Sequence, residues 1–578
     1  MKRNSLLLIL LTLPTFFFSQ SLTVIDNYLK INAAAKDPLY TTYAATMSRS
    51  ALSEDMFYKM DYYSDSCLVN YSGNGSGTMF SFWKIDDVLV KKTSDYFRKP
   101  VVIYSFPDMM IMEYQPASCI QVRETFLVYS STLSVVEMEI RSTDTQPHEV
   151  SIFPVLDFGN DSVEDIEYNR EYAGILANRI ASSRKMINSK EIETNRPINI
   201  TEFFTASPRI LSYKYYHSTR EDFYKSLMND SAYEEKPDSQ NLYNKSSANF
   251  FVLYQKRLIR PKETISFRYI RGTQRQQEDP GQLMKEAVNL KGCFLKTFFE
   301  DNLMLFLNIP KIKFGNPGDK LLYISALNLA RNSIFPASGN SRFNFFSSSR
   351  DRAPDTDQER QLWQEAPGLM GYVYIDPKSA ENAFRLLKEQ AERGKPLRFH
   401  QRDSSRSLPF YNWIGMEIYK VSGERQFLKE IYVSGGKYVD RLILENLSTT
   451  ENDPDLALLI SIEARCLAWM AKEIGKTTES VEWSKKSSII LNQDSMVSPK
   501  PYEKLLWNYI DYIGMKNNGY DDIAKQLSTK MKFCVSTQLS KNHEFREFYS
   551  PDADTAIGIK NYFPDSIIAK LLIEENVK

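Results

Sequence analysis

The spacing of apolar positions changes period once along this chain. In the first half the period is two. Val136, Met138 and Ile140 alternate with Glu137, Glu139 and Arg141. Ile265, Phe267 and Tyr269 alternate with Ser266 and Arg268, until Ile270 interrupts the polar face. Period two sends successive side chains to opposite faces of a strand, one dry and one wet. Residues 104–114 and 124–131 are similarly rich in Tyr, Phe, Val and Ile, and Asn74-Gly75 and Gly159-Asn160 supply turn signals between runs. Short strands without long helical patterns predict an antiparallel β-sandwich over residues 22–275. The polar stretch 185–243 reads as an irregular insertion between strands.

In the second half the period lengthens to that of a helix. Asp376 suits an N-cap and Pro377 the first helical position, after which Ala380, Ala383, Phe384 and Leu387 fall on one face; Gly394 and Pro396 end the run. Similar patterns cover 319–334, 361–374, 411–422, 425–446, 454–474, 479–491, 502–516, 520–539 and 560–575. No fixed-period repeat accompanies them, which excludes a strict solenoid. The predicted fold class is therefore multidomain β plus α: a sandwich over 22–275, a linker region with a helix over 276–318, and an (α/α)6-like helical toroid over 319–578.

Composition narrows the function. Lys plus Arg and Asp plus Glu are both 72, so no basic surplus is present to neutralise phosphates, and no nucleic-acid partner is expected. The 34 Tyr, 34 Phe and 6 Trp suit packing and also the stacking platforms of sugar sites. Lys2 and Arg3 precede an apolar run at 6–18 and a polar exit at Ser19, Gln20 and Ser21, so residues 1–21 read as a signal peptide. A periplasmic or secreted location follows, with no membrane span after cleavage. Five widely spaced Cys and four His form no linear metal motif, so neither metal nor cofactor is expected. A Cys67–Cys119 bridge and free thiols both remain open, free thiols being the default.

Several charged or Gly-rich stretches have ordinary explanations beside functional ones. Arg350-Asp351-Arg352 with Asp355, Asp357, Glu359 and Arg360 either borders a pocket mouth or is a solvated, internally paired loop. Asp355-x-Asp357-x-Glu359 lacks the glycine of an EF-hand turn, and Gly315–Lys320 lacks the Ser or Thr that follows the lysine of a phosphate loop. His400 and Arg402 lie in a polar loop before Leu408.

Three blocks carry a family resemblance: Trp363-Gln364-Glu365-Ala366-Pro367-Gly368-Leu369-Met370-Gly371-Tyr372, Leu408-Pro409-Phe410-Tyr411-Asn412-Trp413-Ile414-Gly415, and Glu547-Phe548-Tyr549-Ser550-Pro551. In this order they resemble the six-hairpin (α/α)6 glycosidases, above all glycoside hydrolase family 63 α-glucosidases and mannosylglycerate-hydrolase-like enzymes. The resemblance spans residues 280–578 by motif and the remainder by architecture. It implies an exo-acting, inverting hydrolase on an α-linked oligosaccharide or glycoside, in which two carboxyl groups work without a cofactor. Glu547, in a Glu-x-Tyr-x-Pro motif, falls where the family places its base. Asp453 or Glu451, flanking Asn452, falls where it places its acid, although Asp453-Pro454 also makes an ordinary helix cap. Trp363, Gln364, Glu365, Tyr411, Trp413, Tyr549 and Arg350 are the expected substrate contacts, with core packing the alternative for the two tryptophans. The chain departs from the family in its shortened acid segment, in Trp363-Gln364-Glu365 where a Trp-Asp pair is usual, and in Tyr562-Phe563-Pro564 where a Trp follows the Glu motif. Those departures support a second reading, a glycan-binding relative without catalysis. A phosphorylase of similar build is a third reading, with Arg350 and Arg352 as phosphate contacts.

Overall fold

The computed structural model describes residues 21–49, 57–73, 77–159, 163–187, 190–208, 212–229, 249–275, 279–337, 342–347, 358–393, 410–448, 454–490 and 504–576. Residues 1–20, within the stretch 1–21 read as a signal peptide, lie outside them. The chain divides into two compact units, Met1–Leu307 and Asn308–Lys578.

The first unit is an antiparallel β-sandwich. One sheet runs in the order Thr42–Ala44, Phe57–Asp61, Asn70–Gly73, Thr78–Ile85, His148–Asp157, Phe250–Ile259 and Ser212–Tyr216, with Val88–Val90 hairpinned onto Thr78–Ile85. The other runs Val163–Asn169, Gly174–Ile187, Lys190–Ser207, Thr264–Arg275, Leu133–Ser142, Ile120–Val128, Met109–Ala117 and Arg98–Ser105. Their inner faces meet through aromatic rings: Tyr71 stacks on Phe126 at 4.1 Å, Tyr58 meets the same ring edge-on at 5.4 Å, and Trp83 meets Tyr114 at 6.2 Å. One buried charge cluster is closely paired: Glu202 accepts from Arg179 Nε at 3.2 Å and from Arg271 Nη2 at 2.9 Å, all three fully buried.

Two sequence expectations change here. The stretch 185–243, read as an irregular insertion, holds the end of the strand Gly174–Ile187, its hairpin partner Lys190–Ser207, the strand Ser212–Tyr216 and the helix Arg220–Asn229. Strand pairing holds this ribbon from Gly174↔Thr205 to Ile187↔Lys190, whereas the sequence over 188–197 is mostly polar and shows no apolar alternation. The linker helix is two helices, Pro280–Lys291 and Leu295–Leu305, and both belong to the first unit. Pro280–Lys291 lies on the outer face of Thr264–Arg275. A Cβ at Gly272 would sit 3.0 Å from Leu283 Cγ, and Arg268 donates to the Lys291 carbonyl at 3.2 Å. This cover explains Ile270, an apolar residue on the nominally wet face that is fully buried. None of the five cysteines forms a disulfide, so the Cys67–Cys119 bridge is not made.

The second unit is the (α/α)6-like toroid. Helices alternate between an inner layer, buried nearly all round, and an outer layer buried along one stripe. Pro317–Asn332, Leu369–Tyr372, Asn412–Ser422 and Ile567–Asn576 carry the inner character, as the unbroken burial of Leu321–Ala330 and Ile567–Ile573 shows, while Leu505–Asn517 buries Leu505, Leu506, Tyr509, Ile510 and Tyr512. Pro377–Arg393 buries only Ala380, Glu381, Ala383, Phe384, Leu387 and Ala391. The predicted Asp376 cap forms, accepting from the Ser379 amide at 3.0 Å, and Asn316, which the sequence reading did not single out, caps its helix by accepting from the Gly318 amide at 3.0 Å. The Gly315–Lys320 stretch is thus a helix start. Turns from inner to outer helices are tight, as between Ser422 and Arg425, Glu473 and Thr477, and Asn517 and Asp521. Returns to the inner layer are longer, and the one from Asn542 to Ile567 carries the hairpin Arg546–Tyr549/Ala556–Lys560. No helix among the described residues is long and apolar enough to cross a membrane.

Candidate active site

Glu547 stands on that return hairpin, where the strand register is irregular between Arg546 and Phe548. It is 8% exposed. Its Oε1 lies 3.0 Å from the Nζ of Lys504, the residue that precedes the inner helix Leu505–Asn517 and is itself 3% exposed. Its Oε2 accepts from the Ile559 amide at 3.3 Å. Gly558, at φ +84°, makes this approach possible, because a Cβ there would come within 2.9 Å of the Glu547 Cβ and Oε2. The Lys504 ammonium also lies over the rings of Phe548 and Tyr562, at 5.2 and 5.4 Å, and reaches the Tyr562 hydroxyl at 3.5 Å. A carboxylate and an ammonium, both nearly dry, thus neutralise each other inside an aromatic frame.

Tyr549 turns inward beside them. Its hydroxyl accepts from the Arg546 amide at 3.0 Å and donates to Asp565 Oδ2 at 2.7 Å. Asp565 belongs to the short 3-10 turn Phe563–Ser566 and is 1% exposed. Burial pushes its carboxyl well above the usual range; the Tyr549 hydrogen bond and Lys504 oppose this, and the charge of Glu547 adds to it. The same turn joins the Trp363 block to the Glu547 hairpin. Tyr562 donates to the Gln364 carbonyl at 3.5 Å, and Ser566 to the Gly368 carbonyl at 3.1 Å. Gly368 lies against the Phe563 ring and Gly371 against the Ser566 backbone, too close for a Cβ at either position.

The other expected contacts are placed as follows. Glu365 is buried at the end of the helix Gln358–Glu365. Trp363 is 4% exposed and stacks on Tyr438 at 5.7 Å. Tyr411 packs on the same Tyr438 ring at 5.6 Å, and its hydroxyl pairs with Ser434 Oγ at 2.6 Å. Trp413 stacks on Tyr509 at 6.2 Å and meets Phe410 edge-on. The structure therefore brings Glu547, Tyr549 and Gln364 together through Lys504, Tyr562 and Asp565, and gathers Trp363 and Tyr411 on Tyr438. Asp453, Glu451, Arg350, His400 and Arg402 lie outside the described residues.

Three polar arrangements in this unit escape a reading of the sequence alone. Lys504 and Asp565 complete the Glu547 site. Glu463, fully buried, accepts the amides of Tyr411 and Trp413 on Oε1 at 3.1 and 3.2 Å and that of Asn412 on Oε2 at 2.6 Å. It thereby caps the inner helix Asn412–Ser422 from a neighbouring helix. Burial outweighs the three amide hydrogen bonds and pushes its carboxyl up to about 7. Lys570 reaches Glu417 at 2.6 Å and Glu574 at 2.9 Å, while Lys420 holds the other Glu417 oxygen at 2.7 Å. Although burial opposes it, the pair of lysines lowers the Glu417 carboxyl. Each charge interrupts an apolar run in the sequence: Lys570 between Ala569 and Leu571, Glu417 between Met416 and Ile418. That interruption is the signal that would have found them.

No protein-family model matches the chain, and no curated protein does. Among solved structures it is similar to a bacterial glucoamylase complexed with acarbose, at 10% identity and TM-score 0.40 over 80% of this chain and 67% of that one. It is similar also to a family GH92 inverting mannosidase from Bacteroides thetaiotaomicron, at 10% identity and TM-score 0.39 over 80% of this chain and 64% of that one. A putative kojibiose phosphorylase from human microbiome matches at 10% identity and TM-score 0.39, over 80% and 71%. At such identities and scores the functional argument rests on the residues of this chain.

Proposed function

We propose that the chain is a carbohydrate-active protein, an exo-acting inverting glycoside hydrolase on an α-linked glycan, with Glu547 as the base. The observation that carries this reading is the setting of Glu547. A nearly buried carboxylate occupies a hairpin on a return to the inner helices, within a Glu-x-Tyr-x-Pro motif, backed by Lys504 and by the Tyr549–Asp565 pair. An inverting base takes a proton from water as that water attacks the anomeric carbon, while an acid roughly 6.5–9.5 Å away protonates the leaving oxygen. Asp453 or Glu451, just ahead of the helix Pro454–Glu473, supplies that acid. Asp565 is too deeply buried to meet a sugar and orients Tyr549 instead. Residues 1–21 direct the chain to the periplasm or the exterior. No cofactor takes part.

The test is release of reducing sugar from α-glucosides and α-mannosides by the native chain beside Glu547→Gln, Asp453→Asn and Glu451→Gln. Removing the base lowers turnover by roughly 10²–10⁴-fold, and one of the two acid variants falls with it. Full turnover in Glu547→Gln contradicts the assignment. One observation favours the second reading, a glycan-binding relative without catalysis: both Glu547 oxygens are already engaged, by Lys504 and by the Ile559 amide. Saturable glycan binding without turnover in the native chain supports that reading over hydrolysis.

A further inference from the structure

Three turns of the β-sandwich converge at one end. Asp86 lies in the turn between Thr78–Ile85 and Val88–Val90, where Asp86 and Asp87 adopt φ of +47° and +68°. Cys119 lies in the turn between Met109–Ala117 and Ile120–Val128, on the opposite sheet. His148 opens the strand His148–Asp157. A carboxylate oxygen of Asp86, the Sγ of Cys119 and a ring nitrogen of His148 all lie within 4.8 Å of one another. We propose that these three side chains form a binding site for a divalent cation of the zinc class.

The donor set selects that class. A thiolate, an imidazole and a carboxylate together suit zinc, whereas magnesium and calcium take oxygen alone. Zinc bonds of about 2.0–2.3 Å in a tetrahedron put ligand atoms roughly 3.5 Å apart. From separations of at most 4.8 Å, with His148 Nδ1 at 2.6 Å from Asp86 Oδ2, the three side chains reach that spacing by movements of about an ångström.

The turns are built to hold these positions. The Asp86 amide donates to the Glu149 carbonyl at 3.0 Å, and the Glu149 amide returns a bond to Asp86 Oδ1 at 2.9 Å. The Thr143 amide donates to the Cys119 carbonyl at 2.9 Å, tying the loop before His148 to the cysteine turn. His148 is oriented from both sides, with Nδ1 at 2.6 Å from Asp86 Oδ2 and Nε2 at 3.2 Å from Asp144 Oδ2. With Nε2–H donating its hydrogen bond to Asp144, the metal takes the place of the Nδ1 proton. Asp144 then acts as the carboxylate behind a metal-bound histidine and is a positioning residue. The ion links a turn of each sheet, and its fourth position faces solvent beside the exposed Asp86.

The experiment is titration of the chelator-treated full chain with Co²⁺, followed by displacement with Zn²⁺. The expected result is the visible bands of tetrahedral cobalt with a thiolate-to-cobalt charge-transfer band, saturating at one equivalent and bleached by zinc. Cys119→Ser removes the charge-transfer band. His148→Gln abolishes saturation. Asp144→Asn keeps the bands and weakens binding by roughly 10–100-fold. Circular dichroism establishes that each variant is folded. Absence of tetrahedral bands in the native chain, or a charge-transfer band that survives in Cys119→Ser, overturns the proposal.

Discussion

Glu463 allows a test in which burial and hydrogen bonding pull in opposite directions. Three backbone amides converge on its carboxylate and favour the charge, whereas full burial disfavours it, and burial wins. The carboxyl titrates near 4.5 in an unfolded chain and near 7 in the folded one. Between these values the native state holds a proton that the unfolded state has released, so the stability this group contributes is full below pH 4.5 and is lost as pH rises to 7. At 1.36 kcal/mol per pH unit the loss is about 3 kcal/mol. Glu463→Gln keeps the shape of the neutral acid and does not titrate. It therefore carries a constant cost from the amide hydrogens that meet its NH2 group, and no pH dependence from this site. Urea unfolding of both proteins, followed by helical circular dichroism between pH 5 and 8, measures the difference. The stability of the native chain relative to the variant should fall by about 2.5 kcal/mol across that range, equivalent to roughly 5–10 °C in Tm for a unit of this size. Parallel profiles, or a native chain that gains on the variant with rising pH, would show that the three amides outweigh burial and would refute the reasoning.

Other perturbations follow from the same structure. Lys570→Met leaves Glu417 and Glu574 without their shared cation and should cost about 3–5 kcal/mol in urea melts, whereas Lys570→Met combined with Glu417→Leu and Glu574→Gln should recover much of the loss. Lys504→Met strands the Glu547 charge and should destabilise the chain by about 3 kcal/mol, an effect that Glu547→Gln relieves in the double variant. Gly371→Ala places a methyl 2.4 Å from the Ser566 carbonyl oxygen, so the backbones must part; a loss of about 1–3 kcal/mol is expected, and an unchanged Tm would mean that this contact is looser than described.

Much of the architecture is legible in the sequence because both periods repeat many times. The alternation at Val136–Ile140 and the stripe at Ala380–Leu387 each bury the face that they predict. Capping chemistry is equally local, which is why Asp376 falls where its residue type indicates. Groups paired across long sequence separations are a different matter. Glu463 meets the start of a helix that precedes its own, and Glu417 meets Lys570 at the far end of the chain. Nothing in either local window names the partner, although a charge within an apolar run shows that a partner must exist. The Asp86–Cys119–His148 cluster is hidden for the same reason, since it is assembled by three turns and has no linear motif. At the candidate active site the motif marks Glu547 and Tyr549. Lys504 and Asp565 enter only through the fold.

The central claim is that Glu547 activates water on the far side of an α-glycosidic bond. Proton NMR of α-glucoside and α-mannoside cleavage, recorded from the first minutes with the native chain and with Glu547→Gln, tests it most directly. The account predicts that the β-anomer of the released sugar appears first and that its signal is lost in the variant. Initial release of the α-anomer, or β-anomer release at the native rate from Glu547→Gln, would contradict it.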